Sequence, residues 1–138
     1  MSDKVFIDSN IWLYALIQSE ADQEKSLKAK ASIVNTDNIF ISTQIVNEVC
    51  INLMRKGNKD AVFIDQFLIH FMATYSVMSQ TKDDVLKASS IRGDYHFSYW
   101  DSLVVACAIR GDCKILYSED MQHELIIYKK LQIVNPLL

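Results

Sequence analysis

The sequence predicts an α/β domain built around a mainly parallel sheet. Five short apolar runs have the length of β-strands, and the segments between them repeat apolar residues at helical spacing. Strands that alternate with helices are typical of parallel sheets, because a helical crossover must join each pair of strands. The 138 residues include one Pro and three Gly, so no linker rich in these residues divides the chain. A single domain over residues 1–138 is therefore expected.

The predicted elements follow one another along the whole chain. The strands are residues 4–7, 39–41, 75–78, 115–117 and 132–134. A first helix opens near Ile11, and the other helical segments are residues 27–34, 45–54, 61–72, 85–91 and 103–109. A possible capping box at residues 81–84 precedes one of these helices, and the Gly-containing pairs at residues 57–58 and 111–112 predict helix ends.

Composition excludes several classes of protein. Half of the residues are hydrophobic and 22% are charged, which is typical of a folded chain and not of a disordered one. The longest apolar run, residues 103–109, is far shorter than the ~18 residues of a membrane span, and Asp3 is out of place in a signal peptide. The chain is therefore predicted to be cytoplasmic. Three cysteines without CxxC spacing indicate neither a disulfide framework nor a zinc site.

The net charge of −3 argues against a surface that coats a nucleic-acid backbone over its full extent. Any contact with RNA must then be local. Two groups of basic residues are candidates, although solvated helix faces are an equally simple explanation, above all for the first group. These residues are Lys25, Lys28 and Lys30, and Arg55, Lys56 and Lys59.

Carboxylates follow two of the predicted strands. Asp8 comes directly after the strand 4–7, and Asp120 closes the segment that follows the strand 115–117. Ligands of open α/β sheets bind beyond the carboxyl ends of the strands, so these two acids are expected to meet in one crevice. An isolated aspartate after a strand is also common as a turn residue or a helix N-cap, and that alternative stays open for each.

A third acid, Asp101, stands just before the apolar run 103–109, which predicts a buried helix. Ser98 and Asp101 have the spacing of a capping box, and an acid in the first turn is favoured by the helix dipole. Capping alone would explain the residue. Aspartate is, however, a weaker partner for that reciprocal bond than Glu or Gln, and Tyr99 and Trp100 add a bulky wall beside it.

A fourth acid, Glu48, lies in the first turns of the helix that follows the strand 39–41. Gln44, Asn52 and Arg55 share its face of the helix, opposite an apolar stripe. A stripe that simply faces solvent is the alternative. Acids from separate elements suit Mg²⁺, which prefers hard oxygen ligands, and a nuclease site that holds two ions needs several of them. Without a cation such a cluster repels itself, so its presence indicates a function.

Five segments together carry a resemblance to a known family. They are residues 6–10, the helix of Glu48, residues 99–103, residues 118–121 and the closing residues 133–136. In this order they resemble a PIN domain, in particular the VapC-like toxin branch of type II toxin–antitoxin pairs. The resemblance implies a three-layer α/β/α sandwich with a mainly parallel central sheet. It also implies an endoribonuclease that cuts single-stranded RNA and uses Mg²⁺ or Mn²⁺.

The family's functional positions carry over residue by residue. The catalytic and metal-binding acids would be Asp8, Glu48, Asp101 and Asp120. The supporting polar residues would be Asn10, Ser118 and Glu119. The resemblance further implies a single-stranded or structured RNA substrate, a cognate antitoxin that covers the acidic crevice, a homodimer and no membrane contact. The candidates to receive a partner helix are Trp12, Tyr14 and Leu16, although core packing is the favoured role of Trp12.

Other functions remain to be compared with this one. A receiver domain would also place acids at strand ends, but it needs an acidic pair after the first strand and a lysine after a late one, and the chain has neither. A scaffold that binds RNA or protein without cutting predicts the loss of one of the four acids, and none is missing. A nuclease of RNA processing stays open, although the small chain without appended domains favours a toxin.

Overall fold

The computed structural model describes residues 2–138, in which a six-stranded sheet has the order β3-β2-β1-β4-β6-β5. The strands are β1 (Val5–Ile7), β2 (Ile39–Ser42), β3 (Ser76–Met78), β4 (Ile115–Tyr117), β5 (Ile126–Ile127) and β6 (Leu131–Val134). Every neighbouring pair is parallel except β5 and β6, which are antiparallel. The predicted, mainly parallel sheet is confirmed.

Helices cover both faces of this sheet. Within residues 2–138 they are α1 (Ser9–Leu16), α2 (Gln23–Val34), α3 (Thr43–Arg55), α4 (Ala61–Thr74), α5 (Lys82–Tyr95) and α6 (Tyr99–Arg110), with a 3₁₀ turn at Glu20–Asp22. The helices α1 to α4 connect β1 to β2 and β2 to β3. Because crossovers between parallel strands are right-handed, these four helices lie on one face of the sheet. The helices α5 and α6 return the chain to β4 and lie on the other face. The three-layer α/β/α sandwich is confirmed.

The core lies along β1 and α6. All three residues of β1 are buried, as expected for a central strand that is covered by helices on both faces. In α6, residues 102–108 are buried without interruption. Asp8 and Asp101 stand at the ends of these two elements, so the best-packed parts of the molecule position both acids.

The end of α3 shows how the predicted helix stop works. The helix ends at Arg55, and Asn58 adopts the left-handed conformation with φ 52°. Gly57 itself is needed for a different reason, because a Cβ there would lie 2.8 Å from the carbonyl oxygen of Leu53. The glycine thus permits a close approach of the chain, while the asparagine makes the turn.

Several bounds depart from the prediction: α5 spans Lys82–Tyr95 instead of residues 85–91, and α6 begins at Tyr99 instead of residue 103. The two-residue strand β5 was not predicted, since a run this short has no period to detect. Helix α2 begins at Gln23 instead of residue 27, because its polar first turn lacks the apolar spacing on which the prediction relied. In the part of the chain that the structure describes, no helix combines the length and apolarity needed to cross a membrane.

Candidate metal centre

The order in which the chain adds strands to the sheet reverses between β1 and β4, which lie side by side at its centre. From β1 the chain builds outward through β2 to β3, and from β4 it builds the other way to β6. Crevices at such a point, outside the carboxyl ends of the strands, are the usual ligand sites of open α/β sheets. The two segments that emerge here begin with Asp8 and Ser118.

Three aspartates meet at this point and are called here the acid trio: Asp8, Asp101 and Asp120. One carboxylate oxygen from each lies within 4.8 Å of the other two. The three come from the end of β1, the first turn of α6 and the loop after β4. Asp8 is buried, Asp101 is half-buried and Asp120 is exposed, so the cluster opens from the core toward solvent.

Asp8 has both of the roles considered from the sequence. It is the N-cap of α1, where its Oδ1 accepts a hydrogen bond of 2.8 Å from the Ser9 backbone N–H. Its Oδ2 accepts 2.8 Å from the Ser118 hydroxyl and 3.4 Å from the Asn10 amide. Burial raises the pKa of Asp8 to about 7 despite these bonds, and the charges of Asp101 and Glu48 add to the rise. Capping and a place in the acid trio therefore coexist.

A second capping box in the chain makes the position of Asp101 informative. At the start of α5 both bonds between Thr81 and Asp84 form, and Arg110 pairs with the same carboxylate at 2.8 Å. At the start of α6 the Ser98 hydroxyl accepts from the Asp101 N–H, but the described hydrogen bonds do not include the return bond to the carboxylate. The Asp101 carboxylate lies beside those of Asp8 and Asp120 instead.

Burial raises the pKa of Asp101, the nearby Ser98 hydroxyl acts in the opposite direction, and the charge of Asp120 adds to the rise. Among residues 2–138, no salt bridge joins a basic side chain to these acids, in contrast to Arg110 beside Asp84. Ionised carboxylates this close together cost folding free energy, and protonation or a bound cation relieves that cost.

Two polar side chains hold the acids in place. The Asn10 amide donates 2.9 Å to Asp120 and 3.4 Å to Asp8, and its oxygen accepts 3.3 Å from the Glu119 N–H. The Ser118 hydroxyl donates to Asp8 and accepts 3.2 Å from the Asp120 N–H. The resemblance to the family suggested Asn10 and Ser118 as supporting residues. In the structure each of them bridges two members of the acid trio.

Glu48 lies near the acid trio but is not one of its members. Its Oε2 accepts 3.3 Å from the Ser9 hydroxyl, while its Oε1 is a buried oxygen for which the described residues supply no partner. Burial raises the pKa of Glu48, and the charges of Asp101 and Asp120 act in the same direction. The structure therefore brings the fourth predicted acid to the rim of the cluster.

Glu119 is used differently from the other supporting residues. Its carboxylate pairs with Lys25 at 2.7 Å and accepts 2.8 Å from the Tyr14 hydroxyl. Burial opposes ionisation, but Lys25 and Tyr14 hold the pKa of Glu119 below its ordinary value. Its charge is therefore balanced within the protein and adds little to the field at the acid trio. A groove of about 570 Å³ runs from Asn10 and Asp120 past these residues to Lys56.

The residues present fit a hard divalent cation. The acid trio offers three carboxylate oxygens, and a buried, unpartnered oxygen of Glu48 lies nearby. Carboxylate oxygen is the donor that Mg²⁺ and Mn²⁺ prefer, and a bound ion is one reason for a polar atom to be buried without a hydrogen bond. The chemistry of the donors therefore favours Mg²⁺ or Mn²⁺ over a soft metal.

Two residues around the site were missed by the sequence analysis. Ser9 binds Asp8 through its N–H and Glu48 through its hydroxyl, and its place directly after Asp8 at a helix start was an available signal. The buried Gln44 lies one helical turn before Glu48 and donates 3.3 Å to the Trp100 carbonyl oxygen. The sequence placed it on the polar stripe of Glu48 without a role of its own, because the period of a helix does not show which side meets a second helix.

The predicted partner surface needs one correction. Trp12 is buried, with 3% of its surface exposed, and its ring packs against Phe71 and Tyr75 at centroid distances of 4.9 and 4.8 Å. Its indole N–H donates to the Ile7 carbonyl oxygen. Trp12 is thus a core residue and cannot receive a partner helix, whereas Tyr14 lines the groove.

Comparisons with known proteins identify the family and the fold of the chain. The family model of the PIN domain matches residues 5–126. No curated protein sequence matches the chain. Among solved structures, a toxin–antitoxin complex from Klebsiella pneumoniae is similar with a TM-score of 0.72 at 16% identity, over 96% of this chain and 98% of that one.

Two further structures have the same fold. VapC20 of Mycobacterium tuberculosis, described as a toxin that cleaves the sarcin–ricin loop, has a TM-score of 0.68 at 17% identity, over 85% of this chain and 90% of that one. VapBC2 of Rickettsia felis, bound to a DNA fragment from its promoter, has a TM-score of 0.57 at 15% identity, over 95% and 98% of the two chains.

Proposed function

The chain belongs to the PIN domain family, and from that premise we propose that it is an endoribonuclease that uses Mg²⁺ or Mn²⁺ to hydrolyse phosphodiester bonds in single-stranded RNA. The observation that carries the proposal is the acid trio at the point where the order of strand addition reverses. Its carboxylates form no salt bridge within residues 2–138, and the groove beside them is open to a polymer.

Each residue has a defined task in this proposal. Asp8, Asp101, Asp120 and Glu48 would hold the cation. When bound, a divalent ion stabilises the charge that develops on phosphate and makes water a better nucleophile. Asn10 and Ser118 fix the directions of the carboxylates, and Ser9 holds Glu48 beside Asp8. The start of α1 faces Asp8, so its helix dipole also stabilises negative charge there.

Metal dependence tests the activity directly. The purified chain should cleave a single-stranded oligoribonucleotide in Mg²⁺ or Mn²⁺, and EDTA should abolish cleavage until excess metal is restored. Gel analysis of an end-labelled RNA measures both. A matched duplex serves as the control substrate and should be cut far more slowly. Cleavage that persists after thorough chelation would contradict the metal role, since carboxylates alone activate water poorly.

We also propose that the nuclease is the toxin of a toxin–antitoxin module, acting in the cytoplasm as a homodimer. The support is the likeness to VapC20 and to two toxin–antitoxin complexes over nearly the whole chain. A cognate antitoxin would cover the acidic crevice, where an arginine could bind the acids through two parallel hydrogen bonds. Exposed apolar side chains on α4, namely Val62, Ile69 and Met72, are consistent with a protein contact.

Expression in a bacterial host separates the toxin from a nuclease of RNA processing. The chain alone should arrest growth, co-expression of the protein encoded beside it should restore growth, and Asp8→Asn should be harmless. Colony counts after induction measure all three, with immunoblots to show equal amounts of protein. Harmless expression of folded, active nuclease would overturn the toxin assignment and leave the nuclease assignment intact.

A further inference from the structure

Two exposed aromatic side chains begin α6, directly before a member of the acid trio. Trp100 is 65% exposed and Tyr99 is 41% exposed. Their rings meet edge to face, with centroids 5.7 Å apart. Asp101 is the next residue of the chain. An aromatic surface thus directly precedes a member of the acid trio in the chain, and the mechanism above makes no use of it.

The two tryptophans of the chain have opposite environments. Trp12 is packed in the core and satisfies its indole N–H on a backbone carbonyl. Trp100 leaves most of its ring in water, and the hydrogen bonds found within residues 2–138 give its indole N–H no acceptor. Together with Tyr99 it forms an exposed aromatic patch, and such patches mark binding surfaces more often than single exposed apolar residues do.

The backbone under this ring is held firmly. The Gln44 amide donates 3.3 Å to the Trp100 carbonyl oxygen, and its own oxygen accepts 3.1 Å from the Gln80 amide. Gln44 is buried and lies one helical turn before Glu48 on α3. The aromatic pair is therefore connected to the same framework as the acids. A ligand that stacks on it would immobilise little more than one side chain, which limits the entropic cost of binding.

The charge of the protein makes such a contact useful to a nuclease. The net charge is −3 and the acid trio itself is negative, so long-range attraction cannot bring in RNA. Stacking of a base on an aromatic ring contributes binding that does not depend on charge and tolerates any base. We propose that a nucleobase of the substrate stacks on the ring of Trp100, with Tyr99 at the edge of that ring. The phosphate next to this base would then lie at the acid trio. This rests on the nuclease function proposed above.

The stacking surface also gives a physical reason for choosing single strands. Bases in a duplex are already paired and stacked, and A-form RNA does not offer their faces to a protein side chain. An unpaired base can swing onto Trp100. Trp100 is thus a positioning residue that selects unpaired RNA, whereas the acids act on the phosphate.

Steady-state kinetics provide the first test. Trp100→Ala should raise KM for a single-stranded RNA by ~5- to ~150-fold, the range that a stacked base contributes, with kcat changed by less than about twofold. Trp100→Phe keeps an aromatic face and should recover most of the loss. Leu86→Ala is the matched control, because Leu86 is a similarly exposed apolar residue on α5, 70% exposed, and should behave as the unchanged chain.

Fluorescence gives a second readout that does not depend on cleavage. In an Asp8→Asn background, a short single-stranded oligoribonucleotide should quench the emission of Trp100. Replacing Trp100 by Phe leaves Trp12 as the fluorophore and should remove the quenching. An oligonucleotide of the same length without bases should quench neither protein, since it offers phosphates but nothing to stack.

The outcomes separate the inference from the function on which it rests. If the unchanged chain cleaves RNA and Trp100→Ala has the same KM, the stacking role is overturned and the nuclease stands. Equal quenching by the oligonucleotide without bases would also overturn it, because the contact would then be with the backbone. A change of oligomeric state in Trp100→Ala would reassign the surface to a contact between copies. If the unchanged chain neither cleaves nor binds RNA, both proposals fail.

Discussion

Asp8→Asn or Asp101→Asn should reduce RNA cleavage by roughly 10²- to 10³-fold or more, while the protein stays folded. Each substitution keeps the size of the side chain but removes a negative oxygen from the acid trio. A catalytic metal contributes several kcal/mol to stabilising the transition state, and each 1.36 kcal/mol corresponds to a factor of ten in rate. Initial rates on a labelled single-stranded RNA, with circular dichroism on the same samples, measure the effect.

Asp83→Asn is the matched control for these variants. Asp83 is an exposed acid in the first turn of α5, as Asp101 is an acid in the first turn of α6, but it has no part in the acid trio. It should cleave at the normal rate. The opposite pattern, in which Asp8→Asn and Asp101→Asn unfold easily yet retain full cleavage per folded molecule, would show that the acids serve only as caps.

The stability of the metal-free protein should fall as the pH rises from about 4 to 8. Burial raises the pKa of Asp8 to about 7 in the folded state, above its ordinary value of 3.8. The folded protein therefore holds a proton that the unfolded chain has released. The contribution of Asp8 to stability is complete below pH 3.8 and is lost as the pH passes through about 7.

Asp8→Asn should remove most of this pH dependence and stabilise the metal-free protein at pH 8 by roughly 1 to 3 kcal/mol. The shift in pKa from 3.8 to about 7 corresponds to roughly 4 kcal/mol at 1.36 kcal/mol per unit. The asparagine loses part of this stabilisation because it accepts fewer hydrogen bonds. Urea unfolding in EDTA at several pH values measures the difference. Mg²⁺ should stabilise the unchanged chain and not the variant. A metal-free stability that is flat from pH 4 to 8 would disprove the prediction.

The layout of the sheet could be predicted because its strands are short, buried and separated by helices with clear apolar periods. The five parallel strands were found in this way, and so was the capping box at Thr81. The antiparallel strand β5 could not be found, since two residues have no period. Its place depends on pairing with β6, which is a tertiary interaction.

The part of the candidate site that lies at strand ends could be predicted from the sequence. Asp8 and Asp120 follow β1 and β4, and the topology brings them together. For Asp101 the sequence left capping and metal binding open, and the missing return bond in the structure distinguishes it from Asp84. The pairing of Glu119 with Lys25 could not be predicted, because it depends on how α2 packs near the loop after β4.

The parallel pairing of β1 with β4 joins residues far apart in the chain, with Val5 opposite Ile115. During synthesis, a ribosome must therefore translate the whole segment from β1 to β4 before β1 has this neighbour, and the bond between Ser118 and Asp8 comes later still. Contacts between residues so far apart in the sequence form slowly. A domain generally folds as a unit once its whole chain has emerged from the ribosome. An incomplete nascent chain thus carries Asp8 without its partners. If the chain is the nuclease proposed above, its acids therefore come together only late in the synthesis of this segment.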